Sequence, residues 1–349
     1  MRLLVLLMAS GAALPAMAQS VPPGTPPVRS PQDENGVDLA NGQIYTGASG
    51  VFASPEISIG APGYGQMRFG RRLTDSATWM HDYYIYMYTS GSTATVVMGT
   101  RRRSFTLSGG TYESDLRDGS TLVSTGSYAY RYTARDGTII NFGTVPGVGS
   151  NLALNQIRPD GERLDFYYRG GNYCIDDPMV GLICIPWTRV QSITSNFGYQ
   201  LKFGYAANHP NAEFIAAMTM VSAKLINNAV EYCDPVADSC SLTQSWPTLS
   251  YASSVSGGIR TESVTDSLGG VTQFFFSTAT GRLTGVKRPS SSSNDVTISY
   301  DGNQRVSSVA IPGRTTTYAW SLSGSVLTSV ATDSLGTVRT TTANTTSKV

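Results

Sequence analysis

Histidine is almost missing from this chain: His81 and His209 are the two in 349 residues. Charged residues make up 14%, well below the roughly 25% of an ordinary globular protein. Apolar runs are short everywhere except Leu3 to Leu14. Each scarcity excludes something. Two isolated histidines and no Gly-x-Ser-x-Gly elbow leave no recognisable nucleophile site. Ser and Asp are too common here for a triad assembled in space to be read from their presence. Asp176-Asp177 and Asp33-Glu34 are read as solvated loop acids, because no calcium-loop pattern surrounds them. The glycines are scattered at turn spacing and form no phosphate-cradling loop. No catalytic residue, metal or cofactor is therefore expected.

What is present begins with a leader. Arg2, the apolar run and Ala16-Met17-Ala18 make residues 1–18 a secretory signal peptide of bacterial type. No other stretch reaches the roughly 18 apolar residues of a membrane helix. The 25 Lys and Arg fall to 24 when Arg2 leaves, matching the 24 Asp and Glu. A chain so balanced has no basic footprint for nucleic acid. Arg101-Arg102-Arg103 is the one basic run, read as an exposed strand edge or turn guarded by charge. The product is expected in the periplasm, at the cell surface or outside the cell.

The four cysteines form two close pairs, Cys174 with Cys184 and Cys233 with Cys240. In an oxidising compartment two local disulfides are the natural reading. A zinc site is the rival, but the spacing does not suit Cys-x-x-Cys pairs.

The chain is rich in Gly, Ser, Thr and Tyr; Thr, Tyr, Phe and Val suit a pleated, half-buried surface and the 36 Gly supply turns, so the fold class is all-β. Residues 19–35 are Pro-rich and read as a linker. An N-terminal β region is expected over 36–150 and a hairpin array with two Cys loops over 151–349. Tyr84, Tyr86 and Tyr88 alternate with Ile85 and Met87, suggesting a strand buried on both sides or packed under a neighbour. Asp-Gly recurs at 118–119, 136–137 and 160–161, a hairpin cue in which both turn residues tolerate positive φ. Ala212 to Tyr232 is ambiguous between helix and strand; a strand and hairpin leading to the Cys233–Cys240 loop is favoured.

The clearest order lies in residues 259–338. Asp266-Ser267-Leu268-Gly269 returns as Asp333-Ser334-Leu335-Gly336. Between them Ser263-Val264, Gly285-Val286, Ser308-Val309 and Ser329-Val330 fall about 22 residues apart, the mark of a repeat architecture. Aromatic or apolar pairs precede three of these beats: Phe274 and Phe276, Ile298 and Tyr300, Tyr318 and Trp320.

These residues resemble the YD repeats of the RHS family. Tyr300-Asp301-Gly302 carries the namesake dipeptide. Gly281-Arg282-Leu283-Thr284-x-Val286 and Gln304-Arg305-Val306-Ser307-x-Val309 are similar to the second strand of that repeat, and Gly36-Val37-Asp38-Leu39-x-Asn41-Gly42 is similar to an RHS opening. The resemblance implies antiparallel hairpin repeats forming a curled, open sheet, a partial RHS-type β-shell. It makes Phe276, Arg282, Tyr300, Asp301, Gly302, Arg305, Tyr318 and Trp320 scaffold residues. The family's C-terminal core segment and toxic domain have no counterpart in the sequence. The implied function is a secreted, non-catalytic scaffold, part of a shell that presents or encapsulates a toxin cargo or partner. A protein partner or further repeats are expected at an open edge near Thr340. A carbohydrate-binding, adhesive surface protein is the alternative, and a secreted hydrolase ranks last.

Overall fold

The computed structural model describes residues 32–44, 52–63, 65–73, 78–126 and 129–345. The expected signal peptide lies outside the described residues. The all-β expectation holds: the described residues form antiparallel strands and one short helix, Phe214–Met218.

The sheet has a closed part and an open part. Eight strands from Ile85–Ser90 to Gly149–Ile157 pair neighbour to neighbour, and the Leu152↔Tyr86 pair closes them into a ring. The far end of Gly149–Ile157 pairs instead with Arg163–Asp177. From there the sheet runs on, each strand beside the next, to Val338–Asn344. The expected open sheet is thus correct for the second part only. Gly149–Ile157 belongs to both parts and crosses the boundary expected at 150.

Side chains explain the curl. In Val271–Ser277, Thr272, Phe274 and Phe276 point inward and their neighbours outward, the alternation of a strand with one buried face. The second strand of a repeat breaks this rule. Leu283 and Val286 are both buried, as are Val306 and Val309, and Val190 and Ile193. Residues three apart face the same way because a β-bulge lies between them. Phe275 pairs with Gly285 but Phe276 with Leu283, leaving Thr284 extra. Ser307 and Gln191 are the extra residues at Tyr300↔Val306 and Tyr168↔Val190. Bulges increase local twist and bend the strand, so repeating one in successive hairpins curls the sheet.

The turns share a second device. In 134–138, 158–162, 266–270, 301–305 and 333–337 the first residue's N–H donates to the fifth residue's carbonyl, and the fourth residue's N–H to the first's carbonyl. The fourth residue always has positive φ: Gly137, Gly161, Gly269, Gln304 and Gly336. Only this one position uses the left-handed region in these turns, although both residues of an Asp-Gly pair tolerate it. At 301–305 the position falls on Gln304, and Gly302 of the Tyr-Asp-Gly phrase is not the left-handed residue.

The inner face of the open part is covered by the chain's own beginning. Phe69 meets Phe203 edge-on at 5.3 Å, and Trp79 meets Phe274 at 4.9 Å. The Arg71 guanidinium lies 3.5 Å from the Tyr251 ring, and the Trp79 indole N–H donates to Glu262. Residues 32–44 cross the last hairpins. The linker expected to reach residue 35 therefore ends earlier: Asp33 and Asn35 are buried. Asp33 is not the solvated acid expected from its sequence context. In the ring, Tyr84 and Tyr88 are exposed while Ile85 and Met87 are buried, so that strand has one buried face rather than two.

Candidate interaction surfaces

The repeat residues meet in one continuous set of contacts. The Tyr300 hydroxyl donates to the carbonyl of Leu283 at 2.7 Å. Leu283 is the bulge residue facing Phe276 in the preceding repeat. The same relation recurs: Trp320 Nε1 donates to the carbonyl of Val306 at 2.6 Å, Tyr205 to Val190 at 2.7 Å and Tyr168 to Ala153 at 2.9 Å. A bulge disrupts the ladder locally, and the polar tip of the next repeat's aromatic satisfies the carbonyl there. Burial is the main cause that pushes the Tyr300, Tyr205 and Tyr168 phenols upward, so each stays a donor. Phe276 has no hydroxyl; it is fully buried, with the Arg260 guanidinium 4.7 Å from its ring.

The remaining repeat residues hold the N-terminal segment. Asn35 Nδ2 donates to Tyr318 Oη at 2.8 Å and to Thr316 Oγ1 at 3.1 Å, and Asn35 Oδ1 accepts from Arg314 at 2.7 Å. The Tyr318 hydroxyl donates to Asp33, whose other oxygen caps the amides of Asn35 and Val37 at 3.0 and 2.9 Å. Arg282 donates to Gln43. Gly42 lies on the stem of Arg305, where an added Cβ would come within 2.6 Å, and its carbonyl accepts the Val306 N–H at 2.9 Å. Asp301 accepts the amides of Asn303 and Arg305 at 2.8 and 2.9 Å and pairs with the Arg305 side chain at 3.1 Å. Burial pushes the Asp301 carboxyl up, but these donors outweigh it and hold it below its ordinary value.

Both disulfides are formed as the spacing suggested. The segment from Asn172 to Pro186 is not a loop, however. Arg163–Asp177 and Gly181–Ser195 form one long hairpin, and Cys174 and Cys184 face each other across it. Its root is fixed where Asn172 N–H donates to the Pro210 carbonyl at 3.1 Å. Gly171 is required there, since a Cβ would stand 2.0 Å from the same oxygen. Beyond the root the ribbon has no third strand among the described residues, and its tip exposes Met179 (94%), Val180 (71%) and Leu182 (71%).

The Cys233–Cys240 loop lies on the outer face, fastened by Lys202. Lys202 Nζ donates to the carbonyls of Asp234 at 3.1 Å, Pro235 at 3.0 Å and Ala237. Burial is the main cause that lowers this ammonium to about 8. Ser192 adds a bond to the Pro235 carbonyl at 2.6 Å, and Arg169 pairs with Asp238 at 2.9 Å. Upstream, both candidate structures of 212–232 occur in part: the helix Phe214–Met218 precedes the strand Met220–Asn227, and the chain turns at Asn227 towards the cysteine loop. Arg189, buried, holds that helix by donating to the carbonyls of Ala217 and Ala207.

The last strand, Val338–Asn344, pairs with Val326–Thr332 and has a register with no second strand among the described residues. It buries none of its side chains fully. Arg101 to Arg103 begin an interior strand of the ring rather than an edge, with Arg101 and Arg102 exposed and Arg103 paired to Asp118 at 3.1 Å.

The two histidines are in different settings. His81 is half-buried with its Nδ1 enclosed, stacked on Phe203 at 5.4 Å, and its imidazole is lowered to about 3 by burial and then by Arg71. His209 lies on an exposed loop and accepts the Asn211 amide. Among the described residues no acidic, Cys or His group is arranged to hold a metal ion, and no helix is long and apolar enough to cross a membrane.

Sequence reasoning missed Asp33, Asn35, Arg189 and Lys202, because each acts on a segment distant along the chain. No family model matches this sequence, and no curated protein matches it.

Proposed function

We propose that the chain is an exported, non-catalytic scaffold of the RHS/YD type that presents a β-surface and one open strand edge to a protein partner at the cell envelope. The observation that carries this reading is the use of the inner face. Described residues of the segments 32–44, 65–73 and 78–81 lie against it, which favours presentation over encapsulation of a separate cargo by this sheet. Bonding capacity is directed outward along Val338 to Ala343, which pair with Val326–Thr332 on one side and with no second strand among the described residues on the other, a template for another strand. The two disulfides are compatible with an extracytoplasmic setting.

A photo-crosslinking residue at Thr340, expressed in the native host, tests the reading. A discrete protein adduct, absent when the probe is moved to exposed Ser253 on an inner strand, is expected. Equal labelling at both positions would overturn it. The carbohydrate alternative rests on the exposed rings of Tyr84 and Tyr88, with Tyr86 between them at 5.1 and 6.4 Å. Binding on a glycan array that is lost in Tyr88→Ala would favour that alternative.

A further inference from the structure

The ribbon tip is an exposed apolar feature that the scaffold reading does not use. Met179, Val180 and Leu182 stand far out of the protein, and behind them Ile175, Ile183 and Ile185 are each more than a third exposed on the ribbon face opposite to Leu182 and Asp176. Contiguous exposed aliphatic surface on an ordered element marks a docking site. The ribbon is also built to stay ordered. The disulfide ties it one rung below Ile175↔Ile183, and the Asp177 carboxylate caps the amides of Met179 and Val180 at 2.8 and 3.1 Å.

Charge narrows the occupant. No Lys or Arg lies between Arg169 and Arg189, so Asp176 and Asp177 are the ribbon's only charges. Burying two carboxylates beside Met179 in a bilayer is costly, whereas a basic, apolar protein surface compensates them. This chain carries such a surface. On the outer face of the ring, Tyr86 and Arg102 flank Val97 on one rung, Val97 itself being buried at 2% exposure, with Tyr84 and Tyr88 exposed on either side. Arg102 is exposed and makes no ion pair among the described residues. The ribbon and this row are neighbours: Thr188, at the ribbon root, donates to the Val148 carbonyl at 2.8 Å, and the strand after Val148 pairs with Tyr86 through Leu152. A two-fold interface needs one patch that contains both the knob and its seat, and here the one strand Gly149–Ile157 lies between them and pairs with both Arg163–Asp177 and Ile85–Ser90.

We infer that two copies of this chain associate by exchanging ribbons, the Met179–Leu182 tip of each lying on the tyrosine row of the other, with Asp176 against Arg102. This goes beyond the scaffold reading and uses a different surface from the open edge.

Sedimentation equilibrium of the full exported chain, from about 1 to about 100 µM, tests it across the range expected for a small interface. A dimer that weakens with salt is expected. Met179→Asp with Leu182→Asp abolishes it. Asp176→Arg and Arg102→Asp each weaken it by about tenfold or more, and the two together restore it, as a direct pair requires. All four positions are exposed, and an unchanged circular dichroism spectrum checks each variant's fold. A monomer throughout the range overturns the inference. So does a dimer indifferent to these changes, a charge exchange that restores nothing, or flotation of the wild type, but not the Met179→Asp/Leu182→Asp variant, with phosphatidylcholine vesicles.

Discussion

The Tyr300 hydroxyl donates to the carbonyl of Leu283, 17 residues earlier, at 2.7 Å. One hairpin is thereby stitched to the bulge of the hairpin before it. Removing the hydroxyl leaves a partly buried carbonyl without its donor, which costs about 1–2 kcal/mol. Tyr300→Phe should lower the urea midpoint accordingly, and Tyr205→Phe should do the same at Val190. Tyr232, 70% exposed, serves as control: Tyr232→Phe should leave the midpoint unchanged. Equal midpoints for all three would show that the stitch adds nothing.

Gln304 occupies a turn position at φ 61° that glycine fills in the corresponding turns at Gly36, Gly137, Gly161, Gly269 and Gly336. Its side-chain oxygen is also buried without a hydrogen-bond partner. A left-handed conformation costs a non-glycine residue roughly 1–2 kcal/mol. Gln304→Gly should therefore raise stability by about 1 kcal/mol, while Gly336→Ala should lower it by a similar amount. Thermal denaturation distinguishes the two signs.

The two disulfides should differ in what they stabilise. Closing a loop as short as that of Cys233–Cys240 contributes about 2–3 kcal/mol in the chain-entropy account. Opening it also loosens the carbonyls that hold Lys202. Cys233→Ser with Cys240→Ser should lower global stability by that amount and hasten acetylation of Lys202. Cys174→Ser with Cys184→Ser should leave global stability nearly unchanged and speed hydrogen exchange only in the ribbon. Alkylation without reductant should find no free thiol in the wild-type protein.

Acid should weaken the fold in two windows. The imidazole of half-buried His81 takes up its proton only near about 3, whereas the unfolded chain takes it up near about 6.5. Between those values the unfolded state holds the extra proton, so stability falls as pH falls. Glu231 acts lower. The amide of Thr243 first, then Trp246, the Thr243 hydroxyl and the Gln244 amide hold its carboxyl down to about 2. Its contribution is full above the ordinary 4.5 and is lost as pH falls towards about 2. In urea titrations at several pH values, His81→Leu should flatten the upper window and leave the lower one. Parallel losses in both proteins would contradict the assignment.

The strands were legible in the sequence where alternation was strict, as in Val271–Ser277 and Val296–Tyr300. The apolar-x-x-apolar phrase of Leu283 and Val286 was visible as a repeat, but its cause, an extra residue facing the partner strand, needs the register of two strands. Nearby cysteines gave the right pairs because short separation dominates loop closure. The same closeness made Asn172 to Pro186 look like a loop, although its residues alternate in a ribbon. Asp33 and Asn35 could not be found from local context. Their partners lie in the last hairpins, and a buried Asp beside a proline-rich stretch has the same local appearance as a solvated one.

The clasp also sets an order of assembly. Asn35 is bonded to a residue 283 positions later in the chain. A polypeptide leaves the ribosome N-terminus first, so Val37 and Leu39 emerge long before the surface that buries them. Contacts of such separation close late and slow the folding of a β-protein. Completion must wait for Tyr318, and any nascent chain shorter than this holds an inner sheet face and an N-terminal segment that have not yet met.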